Sequence, residues 1–536
     1  MQFGARQTLI FVIKICHGSA PSRRKRARYM RKPLGLILVI ALSVFSFSPT
    51  FGQSIRIPWS GYAHAPQHGA AATTASQPLN RIRWSTPVDL SPDYTPSGEL
   101  TIHYGSPLIT RSNTVIVPVK TGLTSGFEVE SLVGATGATN WTQATDYIMP
   151  PHNWTPSFSP ALTPKNRLYF AGAGGTVYYC DCPDTTNATP TFGQIAFYGL
   201  TNYLADTNDF IASVFIDTPI TSDRYGDIFF GFEVLGPNPL NLQSGLARIA
   251  SDGSGTWITA ASIGPVDKVA MNCSAALSND HKTLYFAVNS SQYGYGYLVA
   301  VDSRTLAPLA NVRLKDVVYT NNDAVLNDNG SSSPTIGPDG DVYFGVLENP
   351  PQSNHYRGWL LHFDRTLSQL KIPGAFGWDD TPSIVPASLV AAYGGNSPYL
   401  LMTKYNNYAG AGGDGINRIA VLDPQSTETN LTGGALVMAE VITIVGPTPD
   451  PEYVDSGYPN AVREWCINSA AVDPFTKSIL SNNEDGNLYR WDLTSNTLSE
   501  TNVLTSGVGE AYTPTIVGDD GVVYAINNAT LFSIGR

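Results

Sequence analysis

Eight places in this sequence carry side chains suited to chemistry, each just ahead of a recurring short apolar element. They are His103-Tyr104, His152-Asn153-Trp154, Asp217, Asn272, Asp328-Asn329, Trp378-Asp379-Asp380, Arg463-Glu464-Trp465, and Glu510 with Tyr512. Carboxylates beside amides suit calcium, and aromatic faces with hydrogen-bonding groups suit a planar cofactor or a sugar. Each also has a plainer reading. Trp154, Trp378 and Trp465 serve equally well as packing groups. Asp217 and the Asp379-Asp380 pair can cap turns, His103 and His152 can be structural, and Arg463-Glu464 can be a local ion pair. The expectation rests on their convergence, which depends on the elements that carry them.

Those elements repeat. A small-residue-Pro-apolar unit is followed eight or nine residues later by a β-branched or aromatic triplet. Ser106-Pro107-Leu108 precedes Val115-Ile116-Val117, and Ser159-Pro160-Ala161 precedes Leu168-Tyr169-Phe170. Thr218-Pro219-Ile220, Ser333-Pro334-Thr335 and Thr513-Pro514-Thr515 continue the series, with degenerate copies at Ser274-Ala275 and Ser469-Ala470 and a longer one at Thr381-Pro382. Turn dipeptides such as Asp339-Gly340, Asp485-Gly486, Asp520-Gly521 and Asn279-Asp280 are placed between the two halves of a copy, where they supply positive φ cheaply. A third strand follows each triplet and a weaker fourth precedes the next copy. Four short strands repeated eight times predict an all-β, eight-bladed β-propeller, because one blade cannot bury both faces alone. The last copy ends at its third strand, so Arg81-Ile82-Arg83-Trp84-Ser85 is expected to supply the missing outer strand and close the ring.

Composition agrees. Only 14% of the 536 residues are charged, against 49 Gly, 38 Pro, 9 Trp, 27 Tyr and 21 Phe, which excludes a disordered polyampholyte and a coiled coil. The basic residues are concentrated at the start. Residues 1–52 hold nine of them and no acid, leaving 23 basic against 43 acidic residues and a net charge of −20 from Gln53 onward. Such a body is a poor partner for nucleic acid or anionic lipid.

Arg31-Lys32, an apolar run from Leu34 to Phe47, and small residues up to Gly52 form a secretory signal, with cleavage expected after Gly52. The run is too short for a stable membrane span. The basic cluster Arg23-Arg24-Lys25-Arg26 lacks the hydrophobic residue a twin-arginine signal needs, and Met30 reads as the initiator. Three regions follow: 1–52 as extension and signal peptide, 53–80 as a linker, and 81–536 as the propeller. Export to a secreted or periplasmic location permits disulfides. Cys180, Cys182, Cys273 and Cys466 are too few for a disulfide scaffold, and Cys-x-Cys at 180–182 lacks the second pair of a metal site, so no metal ligands are assigned.

The repeats resemble those of the pyrroloquinoline-quinone-type (PQQ-like) propeller superfamily. Ala65-Pro66-Gln67-His68 resembles the opening of such chains, and Thr136-Gly137-Ala138-Thr139-Asn140-Trp141 matches half of the family's tryptophan-docking motif. Asp302 and Asp364 take the Asp position of that motif without the Thr-Gly and Trp. The resemblance implies eight blades and, for the quinoprotein alcohol dehydrogenases, PQQ with a calcium held by Glu, Asn and Asp. The adjacent Cys pair of those enzymes is absent here, as is a Cys-x-x-Cys-His haem signature. Other members are binding propellers and assembly scaffolds.

The loops on the side of the eight lead-in stretches are long, as at Val346–Arg357, Phe232–Ser244 and Tyr405–Gly415, whereas the opposite loops are tight hairpins. Function is therefore expected on the long-loop face. A Pro-rich insertion with Pro447, Pro449, Pro451 and Pro459 reads as a lid or spacer there. Nucleophile-elbow, zinc-protease and phosphate-loop motifs are absent, and Gly410-Ala411-Gly412-Gly413-Asp414-Gly415 has no following helix to make a nucleotide loop. The first reading is a module that binds a small molecule, glycan or protein. The second is a quinone- or calcium-dependent dehydrogenase or a carbohydrate-active enzyme.

Overall fold

Eight antiparallel sheets are built from the eight sequence repeats, each led by a short inner strand. The computed structural model describes residues 59–94, 100–123, 125–186, 188–507 and 514–536. The expected leader with its expected cleavage position, and both Glu510 and Tyr512, lie outside the described residues. The first blade runs Leu108–Ile109, Thr114–Lys120, Ser125–Val133 and Thr139–Ile148. In the fifth, Thr335–Ile336, Val342–Val346 and Trp359–Phe363 form the sheet, and isolated bridges at Gly374 and Leu370 stand in for the outer strand. The three α-helices among the described residues are short, the longest being Thr207–Ser213.

The apolar triplets are the second strands, and all eight are buried. Both of their faces are covered because each blade is packed between two others, so they read as continuous apolar runs without alternation. Gly340 and Gly521 take the expected positive φ, 92° and 82°, in hairpins leading out of inner strands. Asp485-Gly486 differs. It joins the second and third strands of the seventh blade, Ser478–Asn482 and Asn487–Asp492, and so lies on the long-loop side.

The ring closes as expected. Arg81–Pro87 pairs antiparallel with Thr530–Gly535, from Arg81 opposite Gly535 to Pro87 opposite Thr530. The last blade thus joins the two ends of the propeller chain.

Residues 59–80, expected as a linker, run through the centre of the ring. The free edges of the inner strands present unpaired N–H groups, which need partners once buried. Main-chain oxygens of this segment supply them: Trp59 to Ile109 (3.0 Å), Ser60 to Leu162 (2.8 Å), Pro66 to Leu277 (2.7 Å), Gln67 to Ile336 (2.9 Å), Gly69 to Ile384 (3.0 Å) and Ala70 to Val472 (2.9 Å). Gln77 N then donates to Gly521 O in the last blade (2.7 Å). The segment is a hub bonded to seven of the eight blades. Its tight curl puts Ala63, His64, His68 and Ala70 at positive φ, a backbone cost that only an over-determined site sustains.

Candidate functional site

Four of the lead-in stretches meet above the hub. Reciprocal main-chain bonds between His103 N and Thr155 O (3.0 Å) and between Thr155 N and Thr101 O (2.8 Å) tie the first two together. His103 is thereby held inward, its Nε2 2.6 Å from Asn329 O and its ring 5.9 Å from that of Trp154. Burial pushes its imidazole below the usual range. From the sixth blade, Asp379 Oδ1 accepts from Ser331 N (2.9 Å) and Ser331 Oγ (2.5 Å), while its other oxygen lies 3.5 Å from Lys404 Nζ. Asp380 accepts from Thr403 Oγ1 at 2.5 Å. Burial pushes its carboxyl up to about 7 although Lys404 opposes the shift. Tyr62 of the hub closes this network from below, donating to Asn468 Oδ1 and lying 2.9 Å from Thr381 Oγ1.

His103, Asn329, Asp379 and Asp380 therefore converge, but as a packed polar network. Asn329 is half-buried and its amide donates to Tyr293 Oη at 3.1 Å. Trp378 lies against the chain, so a Cβ added at Gly330 would meet its ring at 2.9 Å. Tyr104 points elsewhere, 3.5 Å from Asp89, and His152 closes a local turn on Pro150 O at 2.7 Å.

Asp217, Asn272 and Asp328 form a second buried group. Asp328 pairs with Lys268 Nζ at 2.7 Å. Asn272 Oδ1 accepts from Ser157 N at 2.7 Å, and its amide nitrogen donates to Asp328 O at 3.2 Å. Neither carboxylate oxygen of Asp217 meets a donor from another residue. Burial pushes that carboxyl well above the usual range, with Lys268 opposing. This set does not fit calcium. The Lys268 ammonium already supplies the local positive charge, and the Asn272 oxygen is committed to the main chain.

The seventh blade contributes Arg463, Glu464 and Trp465. Arg463 pairs with Asp450 (3.3 Å) and Glu484 (3.6 Å), which differs from the local pairing with Glu464 weighed from the sequence. Trp465 is fully buried, its ring 5.6 Å from Tyr489. Burial pushes the Glu484 carboxyl up to about 7, with a bond from Glu464 N and the charge of Arg463 opposing. The four cysteines of the propeller chain are free thiols.

The open site lies beside these groups. A cavity of about 500 Å³ is lined by His355, Asn407, Asp414, Ile416, Tyr458 and Asn460, among others. It is built where the long loops Val346–Arg357 and Tyr405–Gly415 meet the Pro-rich insertion. His355 Nδ1 lies 2.8 Å from Asn407 Oδ1, and Asn407 Nδ2 donates to Asp414 Oδ1 at 2.8 Å. The carboxylate can only accept, which sets the amide; the amide oxygen then requires a proton on Nδ1. With that proton on Nδ1, the neutral tautomer of the ring has Nε2 as its acceptor. Gly412 and Gly415, at φ 97° and 72°, let the loop fold over this chain, and a Cβ at Gly413 would meet Asn407 O at 2.5 Å. Gln352, His355 and Tyr356 also hold positive φ. Sequence reasoning marked both loops but missed His355. The Gly-rich run was the available signal, as a backbone needing close approach.

No protein-family model matches this sequence, and no curated protein matches it either. Solved structures do. The fold is similar to that of a europium-containing methanol dehydrogenase, which aligns over 88% of this chain and 89% of its own, with TM-score 0.52 and 9% identity. The quinohemoprotein alcohol dehydrogenase from Comamonas testosteroni aligns over 90% and 81%, with TM-score 0.49 and 11% identity. Sqt1 of Saccharomyces cerevisiae aligns over 86% of this chain and all of its own, at 0.48 and 10%. The resemblance read from the repeats holds for the fold.

Proposed function

We propose that this chain is an exported binding propeller that takes a neutral, hydroxyl-rich ligand, a glycan or related small molecule, on its long-loop face. The carrying observation is the cleft with its oriented His355–Asn407–Asp414 chain, which sets acceptors and amides beside the Tyr458 ring. A volume of about 500 Å³ suits a ligand of this class. The net charge of −20 beyond the leader supports an uncharged ligand over a polyanion. Among the described residues no helix is long and apolar enough to cross a membrane. Glycan-array binding of the mature chain tests the reading, with Asp414→Ala expected to abolish the signal. An unchanged array pattern in that variant overturns it.

The second reading is a quinone- and metal-dependent dehydrogenase, favoured by the fold likeness to the europium-containing methanol dehydrogenase. Against it stand the Lys268-occupied Asp217 group and the packed mouth around His103. Reconstitution with quinone and calcium, followed by mass spectrometry and dye-linked alcohol oxidation, distinguishes the two. Stoichiometric quinone with turnover would replace the binding reading.

A further inference from the structure

Glu464 and Cys466 stand two residues apart on the segment leading into the seventh blade. Glu484 reaches them from the loop between the second and third strands. One oxygen of each carboxylate and the Cys466 sulfur all lie within 4.8 Å of one another. Cys466 Sγ is 3.5 Å from Glu484 Oε2. A tetrahedral zinc with Zn–S of about 2.3 Å and Zn–O of about 2.0 Å has an S···O edge of about 3.5 Å.

The other oxygen of Glu484 is held back. Oε1 accepts from Glu464 N at 3.1 Å and faces Arg463 Nη1 at 3.6 Å, which leaves Oε2 turned towards the sulfur. Arg463 is shared between Asp450 and Glu484, so one guanidinium faces two carboxylates here. A divalent cation would add positive charge beside Glu484 and Cys466, which are both buried. The guanidinium on Oε1 would then act as an outer partner that aims the ligand.

We propose that Glu464, Cys466 and Glu484 bind a zinc-class divalent cation, with the fourth coordination position open. A thiolate selects borderline and soft ions over calcium or magnesium. Three protein ligands with an open position is the pattern of zinc sites that take water or an external ligand. Glu464 is half-buried, giving the ion a route in, while Cys466 and Glu484 are buried. The proposal is independent of the glycan reading.

The test is titration of the metal-free mature chain with Co2+, read as the thiolate-to-cobalt charge-transfer absorption in the near ultraviolet, followed by displacement with Zn2+. One equivalent is expected to give the band and Zn2+ to remove it. Cys466→Ser should lose the band, and Glu464→Gln should weaken binding by about tenfold or more. Glu464 is the least buried of the three, so its variant keeps the proposal testable if Cys466→Ser fails to fold, which a thermal transition reports. Absence of the band in the parent chain overturns the site, as does a band that persists in folded Cys466→Ser or affinity unchanged in Glu464→Gln.

Discussion

The phenol of Tyr62 stands 2.9 Å from Thr381 Oγ1 across 319 residues of sequence, and its oxygen lies 3.2 Å from Ser331 O. One side chain of the hub thus ties together the lead-in stretches of the fifth and sixth blades, and through Asn468 the seventh. The hub is a structural member of the ring. It satisfies inner-strand N–H groups that would otherwise be buried without acceptors.

Tyr62→Phe should therefore destabilise the protein by about 1–3 kcal/mol, because the polar partners stay behind in a buried place. Removal of residues 53–86 deletes both the hub and most of the closing strand, and should abolish the cooperative transition. Thermal and urea denaturation check both. A truncated chain with an unchanged midpoint would refute the hub role.

Lys404 is buried beside Asp379 and lowers the carboxyl of Asp380 against the effect of burial. Lys404→Met should cost about 3–5 kcal/mol, since it strands buried negative charge. Adding Asp379→Asn should recover part of that loss. A double-mutant cycle by urea denaturation measures the coupling, and strict additivity would contradict the pairing.

Burial pushes the His68 imidazole down to about 4 from 6.5, while its Nδ1 bonds Pro334 O at 2.7 Å. Below 6.5 the unfolded chain takes up a proton that the folded chain refuses. The stability held above 6.5 should thus be lost as pH falls towards 4, with a limiting slope of about 1.4 kcal/mol per pH unit from this group. Asp380 and Glu484 act in the opposite direction over part of that range, because their carboxyls are raised. Comparing the parent with His68→Gln across pH 4–7 isolates the histidine: the difference in stability should shrink as pH falls.

Two substitutions separate ligand binding from packing. Asp414→Ala frees Asn407 and lets the His355 ring rotate, so binding should fall about tenfold or more with little change in midpoint. Trp465→Ala removes a fully buried indole and should cost about 3–5 kcal/mol in stability. Calorimetry on a glycan identified from the array, paired with thermal unfolding, reads both quantities. Reversal of the two effects would place the ligand at Trp465.

The blades were legible in the sequence because their signals are local. A Pro-led inner strand, a buried triplet and an Asp-Gly turn recur within a few residues, and Val342-Tyr343-Phe344 after Ser333-Pro334-Thr335 announces its blade unaided. Closure by Arg81–Pro87 followed from an incomplete last repeat. The hub was illegible for the opposite reason. Residues 59–80 have no periodicity, since successive parts of the segment answer to different blades and their partners lie as far along the chain as Gly521.

The candidate site divides along the same line. Sequence by itself determined which face carries the long loops and which residues lead into the inner strands. Only the tertiary structure decided that His103, Asp379 and Asp380 become a packed network while His355, Asn407 and Asp414 line an open cleft. Ring closure fixes the distances between lead-in segments, and those distances settle whether polar side chains consume one another's hydrogen bonds or remain available. Burial then sets their charge, as it does for Asp380 and Glu484, and no linear arrangement of residues encodes how much water each one loses.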